Sequence, residues 1–171
     1  ASLLRMTWGF EPSRGHQKFS RETIMESTHK FKALLCDMDG TILNSEEISH
    51  MALKAVCTKN GKTFTVELHG EVLGSRFAEA TKKIIQSLEL TVSPEEFKKD
   101  YKEVYEDLLE SKLSVKDGFE DIVEIARGAG LVLVLVTSSS RDSVERNFKM
   151  IGLDDPFEQW ITAESVEKGK P

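Results

Sequence analysis

The chain has 171 residues, of which 39% are hydrophobic and 30% are charged, and it contains no low-complexity run. This composition is typical of a folded globular protein and excludes a largely disordered chain. The formal net charge of -6 argues against nucleic acid as a partner, although a local cationic group or a bound metal ion can still attract a small phosphorylated molecule. No apolar stretch reaches the length that crosses a bilayer, so we expect no membrane partner.

Residues 1–30 and the two cysteines bear on the compartment in which the protein resides. Residues 1–30 have scattered glycine and proline and no sustained period, which predicts a poorly ordered extension outside the fold. This segment carries three glutamates, whereas transit peptides are poor in acids, so organellar targeting is not favoured. Cys36 and Cys57 have no metal-ligand spacing, and we interpret them as buried free thiols in a reducing compartment. We therefore predict a cytoplasmic protein.

The first predicted element is a strand that ends in two acids. The apolar run from residue 33 to residue 36 predicts a buried strand, and Asp37 and Asp39 follow it directly, with Gly40 and Thr41 after them. In parallel α/β sheets, ligands bind in the crevice outside the carboxyl ends of the strands. The strand is therefore expected to deliver two carboxylates to a binding crevice.

A block of amphipathic helices follows over residues 45–112. Asn44 and Ser45 are predicted to cap its first helix, which Asn60 and the following glycine stop. The sequence Ser-Pro-Glu-Glu from Ser93 predicts a further helix start with a capping box. Since no strand is indicated in this block, we predict a separate helical domain inserted after the first strand.

The rest of the chain alternates helices and strands. Asp117 is predicted to cap a helix, and Leu131–Val136, which is apolar on both faces, predicts a central parallel strand. Ser140 or its neighbours begin another helix, and residues 159–163 predict a short third strand. This alternation predicts a parallel α/β core.

Polar side chains follow all three predicted strands. These are Asp37 and Asp39 after the first, Thr137 and Ser138 after the second, and Lys170 after the third. One carboxylate could attack phosphorus while hydroxyl and ammonium groups hold the phosphoryl oxygens. Two carboxylates repel a phosphate dianion, and one lysine cannot offset that repulsion, so a divalent cation bound by oxygen, Mg²⁺, is implied.

Taken singly, each of these elements has a simpler structural interpretation. Asp-x-Asp-Gly-Thr could be only a turn, Thr-Ser-Ser could be only a helix cap, and Lys170 could be a solvated charge. A calcium loop is excluded because the glycine of the EF-hand pattern comes at position 6, whereas here it comes at position 4 of the motif. Their joint occurrence in this order favours a site for a phosphoryl group.

These motifs resemble those of the haloacid dehalogenase superfamily of phosphohydrolases with a type 1 helical cap, over residues 31–171. The motifs that carry the resemblance are Asp37-Met38-Asp39-Gly40-Thr41, Leu131–Val136 with Thr137-Ser138-Ser139, and Gly169-Lys170-Pro171. Within this superfamily, the chain resembles the branch that contains pseudouridine-monophosphate phosphatase, glycerol-phosphate phosphatase and β-phosphoglucomutase. The residues that carry this narrower resemblance are Lys62-Thr63-Phe64, Val72-Leu73-Gly74-Ser75-Arg76 and Ala78-Glu79-Ala80.

The resemblance implies a fold and a role for each domain. The fold is α/β, with a Rossmann-like parallel sheet core formed by residues 31–44 and 113–171 and an all-helical cap over residues 45–112. The implied activity is a Mg²⁺-dependent phosphatase of a small phosphorylated metabolite (a sugar, polyol or nucleotide monophosphate). We expect it to act as a monomer.

The resemblance also implies a role for each site residue. Asp37 is the nucleophile, and Asp39 is the general acid and then the general base. Thr137, Ser138 and Lys170 bind the phosphoryl group. The Asp37 carboxylate and the Asp39 carbonyl hold Mg²⁺. The cap loop that faces the substrate consists of Gly74, Ser75 and Arg76.

The family also has an acidic motif on a fourth strand beyond the lysine motif, and this chain ends at Pro171 before such a strand. The core is therefore expected to be incomplete at its C-terminus, with the first strand open on one side. The chain alone is expected to have weak phosphatase activity or none. One alternative function is an inactive protein that binds partners through its cap. Another is a sugar-phosphate mutase, since mutase relatives carry Gly-x-Ser-Arg where this chain has Gly74-Ser75-Arg76.

Overall fold

A computed structural model describes residues 31–73 and 75–167. It confirms the predicted α/β class with a parallel sheet. The predictions made for residues 1–30, Gly74 and Lys170 lie outside the described residues. The chain divides into two compact units, a sheet unit that includes residues 31–42 and 115–167, and a helical unit, Leu43–Ser114. The helical unit contains the predicted cap region, whose role as a cap stays a prediction.

The described residues form three strands and six α-helices. The strands are β1 (Ala33–Cys36), β2 (Val132–Val136) and β3 (Gln159–Ile161). The helices are α1 (Ser45–Lys59), α2 (Val66–Val72), α3 (Phe77–Ser87), α4 (Pro94–Lys112), α5 (Phe119–Gly128) and α6 (Arg141–Ile151). None of these helices is both long and apolar enough to span a membrane.

Strand β2 lies at the centre of the sheet. It pairs in parallel with β1 on one side and with β3 on the other. Leu133 and Leu135 are 2% and 0% exposed, as expected for a central strand. Since all three strands run in the same direction, the residues that follow β1 and β2 meet at one edge of the sheet.

The prediction that β1 is buried is wrong. Ala33 is exposed and Leu35 is 42% exposed, while Leu34 and Cys36 are only half-buried. Within residues 31–73 and 75–167, β1 pairs with β2 alone. The exposed and half-buried residues alternate along β1, so one face of the strand is the more exposed.

Strand β3 is shorter than predicted, because the chain turns at Thr162. The Thr162 N–H donates to Ser165 Oγ (3.0 Å), and the Ser165 N–H donates to the Thr162 carbonyl (2.9 Å). These bonds replace strand pairing and form a short 3-10 helix, Ala163–Ser165. Ala163 therefore lies in this turn and not in the strand.

Local capping signals predicted two helix starts correctly. Ser93 accepts the Glu96 N–H (3.2 Å), and the Glu96 carboxylate accepts the Ser93 N–H (3.0 Å), which is the predicted capping box of α4. Ser140 caps α6 by accepting the Ser143 N–H (3.2 Å). Asp117 does not cap α5: that position is held by Gly118, whose φ of 86° favours glycine.

The side chain of Asn44 does not cap α1 as predicted, because it bonds to the other end of the helical unit. Its Nδ2 donates to the Lys112 carbonyl (3.0 Å), and its Oδ1 accepts the Ser114 N–H (2.9 Å). The Asn44 N–H also donates to the Ser114 carbonyl (3.2 Å). Asn44 thus joins the beginning and the end of the helical unit.

The helical unit has its own apolar core. Buried side chains from all four of its helices and from the α1–α2 connection form one cluster, which includes Val56, Phe64, Leu68, Ile84 and Phe97. Phe97 is 0% exposed. This continuous core explains why residues 43–114 form a compact unit.

Two histidines lie against each other in the helical unit. The rings of His50 (α1) and His69 (α2) are 4.3 Å apart between centroids, and the Phe64 ring is 5.6 Å from that of His50. Burial lowers the pKa of His50, and the nearby His69 and Lys54 lower it further. The folded protein therefore favours the neutral form of His50.

This arrangement predicts that acid destabilises the protein through His50. Because the pKa of His50 is lower in the folded state, the unfolded state binds more protons once the pH falls below about 6.5. The unfolding free energy of the wild type should therefore fall more between pH 7.5 and pH 5.5 than that of His50→Gln. Urea denaturation at both pH values measures this difference. Equal losses in the two proteins would contradict the prediction.

Candidate active site

The loop after β1 is a tight turn that presents two acids. Met38 is completely buried, and its carbonyl accepts the N–H groups of Thr41 (3.3 Å) and Ile42 (2.9 Å). Gly40 has a φ of 72°, a conformation that favours glycine. The half-buried Asp37 and Asp39 flank the buried Met38. Asp37 Oδ1 accepts the Met38 N–H (2.8 Å), which orients the carboxylate.

The carboxylate of Asp39 meets two hydroxyl groups from the end of β2. Ser139 Oγ donates to Asp39 Oδ2 at 2.7 Å, the usual distance of a hydrogen bond between two oxygen atoms. Thr137 Oγ1 lies 3.5 Å from the same oxygen, at the limit of a hydrogen bond. Thr137 is 4% exposed, and its Oγ1 accepts the Ser139 N–H (3.0 Å). The structure therefore brings the polar residues that follow β1 and β2 together.

Ser139 is a site residue that the sequence predictions did not select. They selected Thr137 and Ser138, and the structure places Ser138 exposed on the same turn. The Thr-Ser-Ser-Ser run contained the signal, but which hydroxyl reaches Asp39 depends on how the chain turns after β2. The roles of Thr137 and Ser138 in phosphate binding stay predictions.

The remaining predicted site residues are Gly74, Ser75, Arg76 and Lys170. Lys170 and Gly74 lie outside the described residues. Ser75 and Arg76 belong to the helical unit, where the Ser75 hydroxyl and N–H both donate to the Val72 carbonyl. Arg76 is exposed at the N-terminal end of α3.

The two cysteine thiols are not activated as nucleophiles. Burial raises the pKa of both the Cys36 and the Cys57 thiols to about 11, so both are protonated at neutral pH. A thiol needs a lowered pKa to react as a thiolate. At the end of β1, the groups suited to nucleophilic attack and proton transfer are therefore the two carboxylates.

Comparison with known proteins places this chain in a family. The family model for haloacid dehalogenase-like hydrolases matches residues 34–171. A phosphorylated carbohydrates phosphatase from Thermotoga maritima is 28% identical over 141 residues, which are 82% of this chain and 65% of that protein. The chain thus spans about two thirds of the length of this relative.

Solved structures show the same fold. A T. maritima protein that is provisionally named a beta-phosphoglucomutase aligns with a TM-score of 0.68 and 25% identity, covering 82% of this chain and 65% of that one. A haloacid dehalogenase-like protein from Agrobacterium tumefaciens aligns with a TM-score of 0.69 and 19% identity, covering 82% and 64%. The family match and the acidic loop after β1 together establish that the chain belongs to the haloacid dehalogenase-like hydrolases.

Proposed function

We propose that the protein is a Mg²⁺-dependent phosphatase that hydrolyses a small phosphorylated metabolite through an aspartyl-phosphate intermediate. The observation that carries this proposal is the contact between Asp39 and the hydroxyl groups after β2, with Asp37 two residues away on the same loop. A carboxylate nucleophile beside a second carboxylate that can move protons is suited to the cleavage of a phosphate ester. The similarity to a phosphorylated carbohydrates phosphatase supports the same reaction class.

The two acids have different roles in the proposed reaction. The Asp37 carboxylate attacks phosphorus, the bond from phosphorus to the leaving oxygen breaks, and Asp39 gives a proton to that oxygen. Asp39 then takes a proton from water as the water attacks the aspartyl phosphate, which releases phosphate and regenerates Asp37. Ser139 orients Asp39 for both proton transfers through its 2.7 Å hydrogen bond. Thr137, Ser138 and Lys170 would bind the phosphoryl oxygens.

The residues at the end of β1 fit a magnesium ion. Mg²⁺ binds hard oxygen ligands and usually keeps several waters, with one or two carboxylates and the substrate phosphate as its other ligands. The Asp37 carboxylate and the Asp39 carbonyl would supply such oxygens. No cluster of three His, Cys, Asp or Glu side chains suited to a metal occurs within residues 31–73 and 75–167. When bound, the ion would offset the repulsion between the carboxylates and the phosphate.

We place substrate selection in the helical unit, at Gly74, Ser75 and Arg76. Arg76 is exposed, and an arginine can recognise a phosphate or a sugar hydroxyl through several N–H groups. Ser75 is held by the end of α2 through Val72, so the position of its backbone is defined. The substrate class is a sugar, polyol or nucleotide monophosphate.

The proposal is tested by measuring phosphate release from a panel of these esters. We expect Mg²⁺-dependent turnover of at least one ester and loss of turnover after removal of the metal with EDTA, restored by added Mg²⁺. Little or no turnover is expected of the 171 residues alone, so the assay uses the protein with the family's fourth-strand acidic motif included. No release of phosphate from any member by that protein, with Mg²⁺ present and the fold verified by circular dichroism, would contradict the proposal.

A sugar-phosphate mutase is the second candidate function. The observation that favours it is the 25% identity to the structure provisionally named a beta-phosphoglucomutase. Phosphorus NMR separates the two reactions, because a mutase converts one sugar monophosphate into an isomer, whereas a phosphatase produces inorganic phosphate. Accumulation of the isomer without free phosphate would favour the mutase.

A further inference from the structure

The segment that follows β3 is bound to the turn that follows β2. The last bond between β2 and β3 runs from the Thr137 N–H to the Ile161 carbonyl (2.9 Å). Two residues further along both strands, the Ala163 N–H donates to the Ser139 carbonyl (3.1 Å). The Arg141 N–H, at the start of α6, donates to the Glu164 carboxylate (3.3 Å). The turn that carries Ser139 is therefore held at its beginning, its middle and its end.

Glu164 is the only side chain among these three acceptors. Its Oε2 also accepts the Thr162 hydroxyl at 2.7 Å, and Thr162 is 3% exposed. The Thr162 hydroxyl lowers the pKa of Glu164, as do its own N–H and that of Arg141. The group is therefore a carboxylate at neutral pH. A negative charge is favourable at the N-terminal end of α6, where the N–H groups of the first turn have no partner within the helix.

The position of Ser139 connects this carboxylate to the acid at the end of β1. Ser139 lies two residues before Arg141, and its hydroxyl donates to Asp39 at 2.7 Å. A shift of the turn by a fraction of an ångström would lengthen this bond. No contact between Glu164 and Asp39 is needed, because the effect passes through the backbone from Arg141 to Ser139.

We propose that Glu164 is a positioning residue, which holds the turn from Ser139 to Arg141 so that the Ser139 hydroxyl meets the Asp39 carboxylate. This inference rests on the proposed phosphatase function. The segment after β3, which leads along the chain to Lys170, would thus also support proton transfer by Asp39.

Steady-state kinetics of the protein with its best phosphate ester test the inference. Glu164→Ala should lower kcat by about tenfold and change KM by less than about twofold. The reason is that a misplaced Asp39 slows proton transfer in the chemical step, whereas Asp39 has no role in binding the substrate. Glu164→Gln keeps an acceptor oxygen of the same reach, and its kcat should stay within about threefold of the wild type.

A double-mutant cycle separates positioning from a general loss of structure. If Glu164 acts through Ser139, then Ser139→Ala with Glu164→Ala should lose no more activity than Ser139→Ala alone. Glu145→Gln is the matched control: the Glu145 carboxylate lies 3.6 Å from the Arg141 guanidinium. Among the described residues, it makes no hydrogen bond to the backbone of residues 139–141. This control should keep wild-type kcat.

Three results would overturn the inference. They are an unchanged kcat in Glu164→Ala, additive losses in the double variant, and equal losses in Glu164→Gln and Glu164→Ala. Should Glu164→Ala not fold, Glu164→Asp replaces it, since the shorter side chain withdraws the carboxylate; equal kcat values for the Asp variant and the wild type would then overturn the inference. The wild type in these assays includes the family's fourth-strand acidic motif. Absence of turnover in that protein would overturn the proposed function as well, whereas an active wild type with the results above would overturn only the role of Glu164.

Discussion

Replacement of Asp37 by asparagine should lower kcat for phosphate ester hydrolysis by about 10⁴-fold or more. The amide keeps the shape of the side chain and can still accept the Met38 N–H, which is 2.8 Å from Asp37 Oδ1. It cannot form an aspartyl phosphate, so the variant should fold normally and lose the reaction. The measurement is steady-state phosphate release, with circular dichroism to verify the fold.

Asp154→Asn is the matched control for this experiment. Asp154 is an exposed acid in the connection between α6 and β3, so the same chemical change there should leave kcat unaltered. Phosphate release by Asp37→Asn at more than about a tenth of the wild-type rate would contradict the assignment of Asp37 as nucleophile.

Replacement of Asp39 by asparagine should have an effect that depends on the leaving group. With a sugar phosphate, the leaving alkoxide needs a proton, and loss of the general acid should lower the rate of the first turnover by about 10²–10⁴-fold. With p-nitrophenyl phosphate, the leaving phenolate is stable without a proton, so the first turnover should stay close to the wild-type rate. The second step, in which Asp39 activates water, should be slow with both substrates.

Rapid-mixing kinetics measure this difference. With Asp39→Asn and p-nitrophenyl phosphate, we expect a burst of p-nitrophenol equal to the concentration of active sites, followed by slow turnover. The burst arises because the aspartyl phosphate forms quickly and then accumulates. Equal slowing of the first turnover with both substrates would show that Asp39 is not the acid. The Asn side chain retains an oxygen that can accept the Ser139 hydroxyl, so the turn after β2 should be preserved.

The sequence predicted the features that depend on neighbours along the chain. The apolar run ending in Asp37 and Asp39 predicted a strand with acids at its end, and Ser93 with Glu96 predicted a capping box, because these signals lie within a few residues. The apolar character of β2 reflects its central position between two strands. In each case the local pattern and the tertiary structure agree.

The sequence could not predict features set by distant partners. Asn44 is a good capping residue, but its side chain bonds to Ser114, 70 residues away. The apolar run of β1 does not show which distant segments cover each face of the strand, so it could not predict the exposure of Leu35. Ser139, rather than Ser138, reaches Asp39 because of the geometry of a turn that is bonded to Ala163, which belongs to another part of the chain.

The pairing of Asn44 with Ser114 has a consequence for how such proteins diversify. The chain enters and leaves the helical unit at adjacent backbone positions, and just outside it the Lys116 N–H donates to the Ile42 carbonyl (2.8 Å). A segment with neighbouring ends can be lengthened, shortened or exchanged without displacing the strands on either side. Residues 43–114 are thus a natural unit for recombination, and exchange of the segment between Ile42 and Lys116 for that of a relative is the corresponding engineering design.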